Sequence, residues 1–276
     1  MNFAARRINN IARHCGGSRY LEIGVAQGAT FFDVDMPRKA AVDPFFQFDP
    51  QERLGEDRHF FPMPSDDFFD QFASRPEAED FKGPDGTIAF DVIFIDGLHT
   101  HQQALRDFEN SLRFSHEKTI WLLDDTVPND PYSGVPDIEK CKEYRQAAGV
   151  SSLAWHGDVY RMVFVLHDLY PNFSYCTIMT DGNPQTVIWR SLPASPRKPV
   201  FPSAEIIGCL DYFSIMEYCH LFMPVLEEVF LERIGSCPDP ADFQSPELWK
   251  LFMYPIRTQA EMELRMVLKW RELKKA

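Results

Sequence analysis

Two acidic steps end the most apolar runs of this sequence. Phe94-Ile95-Asp96-Gly97-Leu98-His99-Thr100-His101 closes one run, and Leu123-Asp124-Asp125-Thr126 closes another. Asp96, Asp124 and Asp125 are expected at adjacent strand ends, with His99 in reach of the same cleft. Carboxylates that close repel: one pair ~4 Å apart costs on the order of 4 kcal/mol at an effective dielectric near 20. A divalent cation relieves the repulsion, and all-oxygen ligation favours Mg²⁺, Mn²⁺ or Ca²⁺ over zinc. The plainer alternative has Asp125 capping a loop and a single acid facing the site. His101 is expected at the start of a helix, facing solvent.

A second group lies upstream. Leu21-Glu22-Ile23-Gly24-Val25-Ala26-Gln27-Gly28 ends the first apolar run. Two glycines four apart permit a tight turn and close approach of a ligand to the backbone. A dinucleotide-binding loop would read Gly-x-Gly-x-x-Gly. Here Ala26 replaces the second glycine, and Glu22 is placed to meet an ammonium rather than a pyrophosphate. A purely structural turn is the alternative. Asp43 follows at the end of the next run, where a carboxylate can accept two hydrogen bonds from a ribose diol. Its place before Pro44 is equally that of a routine turn.

These residues need elements that bring them to one edge. Residues 90–95 form a nearly continuous apolar run, as does 119–123, and such runs suit strands buried on both faces of a parallel sheet. Shorter strands are expected at 19–23, 39–43 and 60–61. Helices are expected at 2–14, 65–72, 101–112, 138–148 and 158–170. Strands at 173–180 and 185–189 flank Asp181-Gly182, a hairpin signal. The alternation predicts an α/β fold: a Rossmann-like, doubly wound, mostly parallel sheet with a final antiparallel strand. Residues 66–85 read as a solvated acidic helix and loop. Trp121 and Trp155 are expected in the core.

Four prolines between 191 and 203 exclude a helix or central strand there. The chain is therefore expected to divide into a main domain at 1–190, a linker at 191–203 and a helical C-terminal extension at 204–276. Helices are expected at 204–234, 245–253 and 257–275, the last with Met262, Met266 and Trp270 on one stripe. The extension is expected to pack on the main domain or to join two copies as a homo-oligomer.

The net charge of −13, from 41 acidic and 28 basic side chains, argues against nucleic acid and anionic membranes as partners. No stretch reaches the ~18–20 apolar residues of a membrane span, and no apolar segment follows Arg6-Arg7 as in a secretory signal. The six cysteines are scattered, as free thiols in a reducing cytoplasm would be.

Taken in order, Glu22-x-Gly24-x-x-x-Gly28, Asp43 and Asp96 resemble the class I S-adenosylmethionine-dependent methyltransferases, over roughly residues 15–190. The Asp-Gly-x-His-Thr segment followed by paired acids is similar to the metal-dependent O-methyltransferases of macrolide sugars and their cephalosporin-pathway relatives. The resemblance implies Asp96, Asp124 and Asp125 as Mg²⁺ ligands and His99 as general base. It also implies Glu22, Gly24 and Gly28 around the methionine part of the cofactor, Asp43 at its ribose, and Ser65-Asp66 near its adenine. N-capping of the helix by Ser65 is the alternative for that pair. The implied reaction is methyl transfer to a small-molecule hydroxyl. Three other readings stand beside it. One is a metal-independent methyltransferase acting on another nucleophile, one a cofactor-binding or assembly protein without turnover, and one a metal phosphoesterase.

Overall fold

In the computed structural model the chain is described over residues 2–180, 182–191 and 197–234. Eight strands form one sheet: β1 (Arg19–Ile23), β2 (Arg38–Val42), β3 (Arg58–Phe61), β4 (Phe90–Ile95), β5 (Ser115–Leu123), β6 (Phe173–Ile178), β7 (Gln185–Arg190) and β8 (Pro224–Val225). Their order is β3-β2-β1-β4-β5-β7-β6-β8. The first five are mutually parallel, and β7 runs antiparallel to β5 and β6. Strand order reverses between β1 and β4, so a crevice opens past their carboxyl ends. Gly24, Asp43, Asp96 and Asp124 each stand one residue beyond a parallel strand.

Helices α1 (Phe3–Cys15), α2 (Ala29–Asp33), α3 (Ser65–Gln71), α4 (His101–Ser111), α5 (Ile138–Ala148) and α6 (Arg161–Leu169) flank the sheet. Side chains alternate across β1, and this separates two cores. Leu21 and Ile23 join Phe68, Phe108 and Phe164, whereas Tyr20 joins Ile8 and Ile11 of α1 and Phe31 of α2. Helix α1 forms because Asn2 caps Ala4 N–H, its apolar residues recur on one face, and Gly16 ends it at φ 66°.

Residues 66–85 are not simply a solvated segment. Phe68, Phe69, Phe72 and Phe81 are all buried, while Asp67, Asp70, Glu79 and Asp80 of the same stretch face water. The stretch 204–234 is also not a run of long helices. It holds α7 (Ala204–Gly208), α8 (Ser214–Glu217), the edge strand β8 and α9 (Glu227–Ile234). Phe201, Ile207 and Phe222 enter one core, and Val225 and Phe230 the other, so this part is built into the main domain. Arg197 ties the preceding stretch down through the carbonyls of Tyr170 and Phe173, both at 2.7 Å.

Met1, Asp181, residues 192–196 and residues 235–276 lie outside the described residues, and with them Cys237, the helices expected at 245–253 and 257–275, and Met262, Met266 and Trp270. Cys15, Cys141, Cys176, Cys209 and Cys219 are free thiols. Among the described residues, no helix is long and apolar enough to cross a membrane.

Candidate active site

The loop after β1 is shaped by its glycines. Gly24 has φ 83°, and a Cβ there would lie 2.0 Å from the Asp96 carbonyl oxygen, so the β1 and β4 loops touch only because this residue is glycine. Gly28 has φ 77°, and Ala26 between them is held at φ 47°. Asp43 reaches across from β2 and fixes this turn. Its Oδ2 accepts from the N–H groups of Val25 and Ala26, both at 2.8 Å, and its Oδ1 from Phe45 N–H at 2.7 Å. The loop amides that would cradle a phosphate in a dinucleotide site are spent on a carboxylate instead.

A cavity of ≈ 440 Å³ lies against this loop. Gly24, Ala26, Asp43, Pro64, Ser65 and Asp66 line it on one side, and Asp96, Leu98, His99, Gln103 and Asp107 on the other. The size suits a drug-sized ligand. The residues predicted from sequence thus converge, with exceptions. Glu22 is not among the lining residues. It shares a face with Tyr20, is 1% exposed, and accepts from the Tyr20 hydroxyl at 2.6 Å. Burial lifts its carboxyl to about 8, despite the Tyr20 hydrogen bond and the nearby Lys39. It is therefore mainly neutral at pH 7, a poor partner for an ammonium. Ser65 does not cap α3, whose N-cap position is Pro64. Its hydroxyl donates to Asp107 Oδ1 at 2.6 Å.

At the other end Asp96, His99 and Asp125 form one cluster, with their potential ligand atoms within 4.8 Å of one another. His99 Nδ1 lies 2.9 Å from the Trp155 carbonyl oxygen and 3.0 Å from Asp125 Oδ2. Both partners are acceptors, so Nδ1 carries the hydrogen and the lone pair resides on Nε2, 3.7 Å from Asp96 Oδ1. Burial disfavours the imidazolium, but Asp125 outweighs it and raises the His99 pKa. Asp125 is held below the usual carboxylate range: burial opposes this, and the His99 contact prevails. Among the described residues, none donates a hydrogen bond to the Asp96 carboxylate. Enclosure by the loops, then the charges of Asp124, Asp125 and Glu22, push it well above the usual range.

Asp124 belongs to this neighbourhood but not to the cluster. Its Oδ1 accepts from Asn183 Nδ2 at 2.7 Å and from Asp125 N–H at 2.8 Å, and its Oδ2 from Gln185 Nε2 at 3.1 Å. Those donors leave it little capacity for a cation, and burial with the Asp125 charge still lifts it to about 6. The predicted trio of Asp96, Asp124 and Asp125 is replaced by Asp96, His99 and Asp125. Asp125 adopts φ 58°, a backbone state unusual for a non-glycine residue. Asn183 Nδ2 also holds its Oδ1, at 2.8 Å.

Sequence reading missed Trp155, whose ring stacks on His99 with centroids 4.8 Å apart and planes at 20°. It was expected in the core with Trp121, and only Trp121 is there, at 0% exposure. Gly157 passes so close to His99 that a Cβ would lie 1.6 Å from its carbonyl oxygen. His101 is buried rather than solvent-facing. Asp158 accepts from its N–H at 2.7 Å and pairs with its Nδ1 at 2.8 Å.

Residues 21–126 match a family model described as a methyltransferase domain. That span runs from β1 to just past β5 and contains every lining residue named above. The match covers 106 of the 276 residues, and it likens the sheet from β1 to β5 and its loops to a methyltransferase domain. Solved structures that resemble the chain include an O-methyltransferase from Bacillus cereus in complex with S-adenosylhomocysteine. That pair shares 14% identity over 69% of this chain and 82% of the other, with a TM-score of 0.46. The O-methyltransferase TomG from Streptomyces achromogenes, involved in tomaymycin synthesis and solved with S-adenosylmethionine, shares 14% identity over 69% and 91%, with a TM-score of 0.38. No curated protein matches the chain in sequence.

Proposed function

We propose that the protein transfers the methyl group of S-adenosylmethionine to a hydroxyl oxygen of a small molecule, with a divalent cation beside the acceptor. The carrying observation is the convergence of Asp96, His99 and Asp125 at the end of the cavity lined by Gly24 and Asp43. In this reading the cofactor occupies that cavity, with ribose toward Asp43 and adenine toward Ser65 and Asp66.

The donor set fits a divalent cation: two carboxylates and an imidazole lie within reach of one centre, and Asp96 is uncompensated. Mg²⁺ takes oxygen, so Asp96 and Asp125 would hold it. Bound there, it would lower the pKa of the acceptor hydroxyl. His99 Nε2 then accepts the hydroxyl proton, while Asp125 and the Trp155 carbonyl keep Nδ1–H pointed away. The oxygen lone pair forms the new O–C bond as the C–S bond breaks, which releases S-adenosylhomocysteine. Asp124, held by Asn183 and Gln185, keeps the β5 loop in place.

A second reading has a specific observation behind it. The 3.0 Å contact of Asp125 with His99 Nδ1 resembles a carboxylate-oriented base that needs no metal. The two separate in one assay of methyl transfer to a panel of catechols and sugar hydroxyls. Under the metal reading EDTA abolishes turnover, added Mg²⁺ restores it, and His99→Ala lowers kcat by about 100-fold or more. Full turnover in EDTA would favour the base-only reading. Full turnover by His99→Ala would defeat both.

A further inference from the structure

A buried ion pair stands apart from the cavity lining yet connects to the base. Arg145 on α5 and Asp130 in the loop after β5 have side chains 4% and 7% exposed, with Nη2 and Oδ2 2.8 Å apart. Arg145 Nη1 donates to the carbonyl oxygens of Ser152, at 2.9 Å, and of Ala154. Asp130 Oδ1 accepts from Ser133 N–H at 2.7 Å, and the Ser133 carbonyl accepts from His156 N–H at 2.9 Å. Trp155, between these anchors, donates its Nε1–H to the Val135 carbonyl at 2.8 Å. Residues 150–156 form neither helix nor strand, and Leu153 in their midst is 95% exposed. Hydrogen bonds rather than core burial therefore set the course of this segment.

We infer that Arg145 is a positioning residue for His99: it holds the Trp155 carbonyl where that carbonyl fixes the imidazole as its Nδ1–H tautomer. This rests on the reading of His99 as the base. The carbonyl oxygen can only accept, and it lies 2.9 Å from Nδ1. Asp125 Oδ2 is the other acceptor there, at 3.0 Å. A cation held by Asp125 draws on that carboxylate, and the Trp155 carbonyl is then the partner that remains to Nδ1–H. While that bond is kept, the lone pair that takes the acceptor's proton stays on Nε2. Without it the hydrogen can settle on Nε2, and the base is blocked. Arginine suits the task because its rigid fork reaches two carbonyls and a carboxylate at once. A lysine ammonium keeps the charge but lacks the fork.

The test is Arg145→Lys, which keeps a cation beside buried Asp130 and so avoids leaving that carboxylate unpaired. The tautomer is read from the ¹⁵N shifts of histidine-labelled protein with S-adenosylhomocysteine and Mg²⁺ at pH 9, where imidazole is ordinarily neutral. The signal missing in His99→Gln assigns His99. The wild type is expected to show His99 protonated on Nδ1 and bare on Nε2. In Arg145→Lys the Nε2–H form is expected to appear, and kcat to fall at least about tenfold while KM for S-adenosylmethionine stays within about twofold. Trp155→Phe keeps a ring against His99 but drops the Val135 bond, and it should shift the tautomer in the same direction even if the lysine variant does not fold. A wild-type His99 with its hydrogen on Nε2 would overturn the proposal, as would an unchanged tautomer in the variants, whatever their turnover. A shifted tautomer with unchanged kcat upholds the role of Arg145 and defeats His99 as the base.

Discussion

Glu22→Gln should stabilise the ligand-free protein, and the gain should grow with pH. The wild-type carboxyl is 1% exposed, and burial moves it from an ordinary 4.5 to about 8. In the folded state it keeps its proton across that interval, while in the unfolded chain it loses it. Unfolding therefore releases a proton, and stability falls as pH rises, by about 1 kcal/mol or slightly more per pH unit. Between pH 4.5 and 8 the full cost is on the order of 5 kcal/mol, an upper bound because unfolded chains retain some structure. Glutamine cannot ionise and can still accept the Tyr20 hydroxyl hydrogen through its amide oxygen, so the variant lacks this slope. Urea denaturation of both proteins at pH 5, 6, 7 and 8 measures it. The stability difference should widen steadily toward pH 8. Parallel curves would refute the assignment of a neutral buried Glu22.

Three further outcomes follow from the geometry. Asn183→Ala removes the donor that Asp124 Oδ1 and Asp125 Oδ1 share, at 2.7 and 2.8 Å. It should cost about 1–3 kcal/mol in urea unfolding and lower kcat more than it raises KM; unchanged kcat would contradict it. Gly157→Ala forces a Cβ to 1.6 Å from the His99 carbonyl at φ 60°, so a fall in Tm and loss of methyl transfer are expected, and an unchanged Tm would refute the close approach. Asp91 accepts from Ser18 N–H, the Arg19 guanidinium and His116, and these hold it below the usual carboxylate range against the pull of burial. That stability is present above about pH 4 and lost as pH falls further. Asp91→Asn should therefore cost on the order of 3 kcal/mol at pH 7 and progressively less toward pH 3, as followed by circular dichroism.

Most of the sheet was legible because its strands are apolar runs punctuated by the acids they present. The helix at 138–148 was readable to the residue, from Asp137 at its N-cap to Gly149 at its end. The acidic stretch after residue 65 misled because buried phenylalanines and exposed carboxylates are interspersed there without a clear helical or strand period. The metal-type cluster was legible only in part. Asp96, His99 and Asp125 announce themselves at strand ends. What removes Asp124 from the set is an amide pair on Asn183 and Gln185, 59 and 61 residues away. Trp155 and Gly157 lie in an irregular segment, where no repeat pattern signals which side chain turns inward. Glu22 shows the limit of reading a motif by charge alone, since side-chain alternation on β1 sends it beneath the loop rather than into the cavity.

The central claim is that one cavity holds the cofactor while Asp96 and Asp125 hold a cation beside it. A crystal grown with S-adenosylhomocysteine and Mn²⁺, measured for anomalous scattering, tests both parts at once. The account predicts the ribose beside Asp43, the adenine against Ser65 and Asp66, and an anomalous peak between Asp96 and Asp125 but outside bonding reach of Asp124. Density for the nucleoside elsewhere, or a peak ligated by Asp124 with its amide partners displaced, would contradict it.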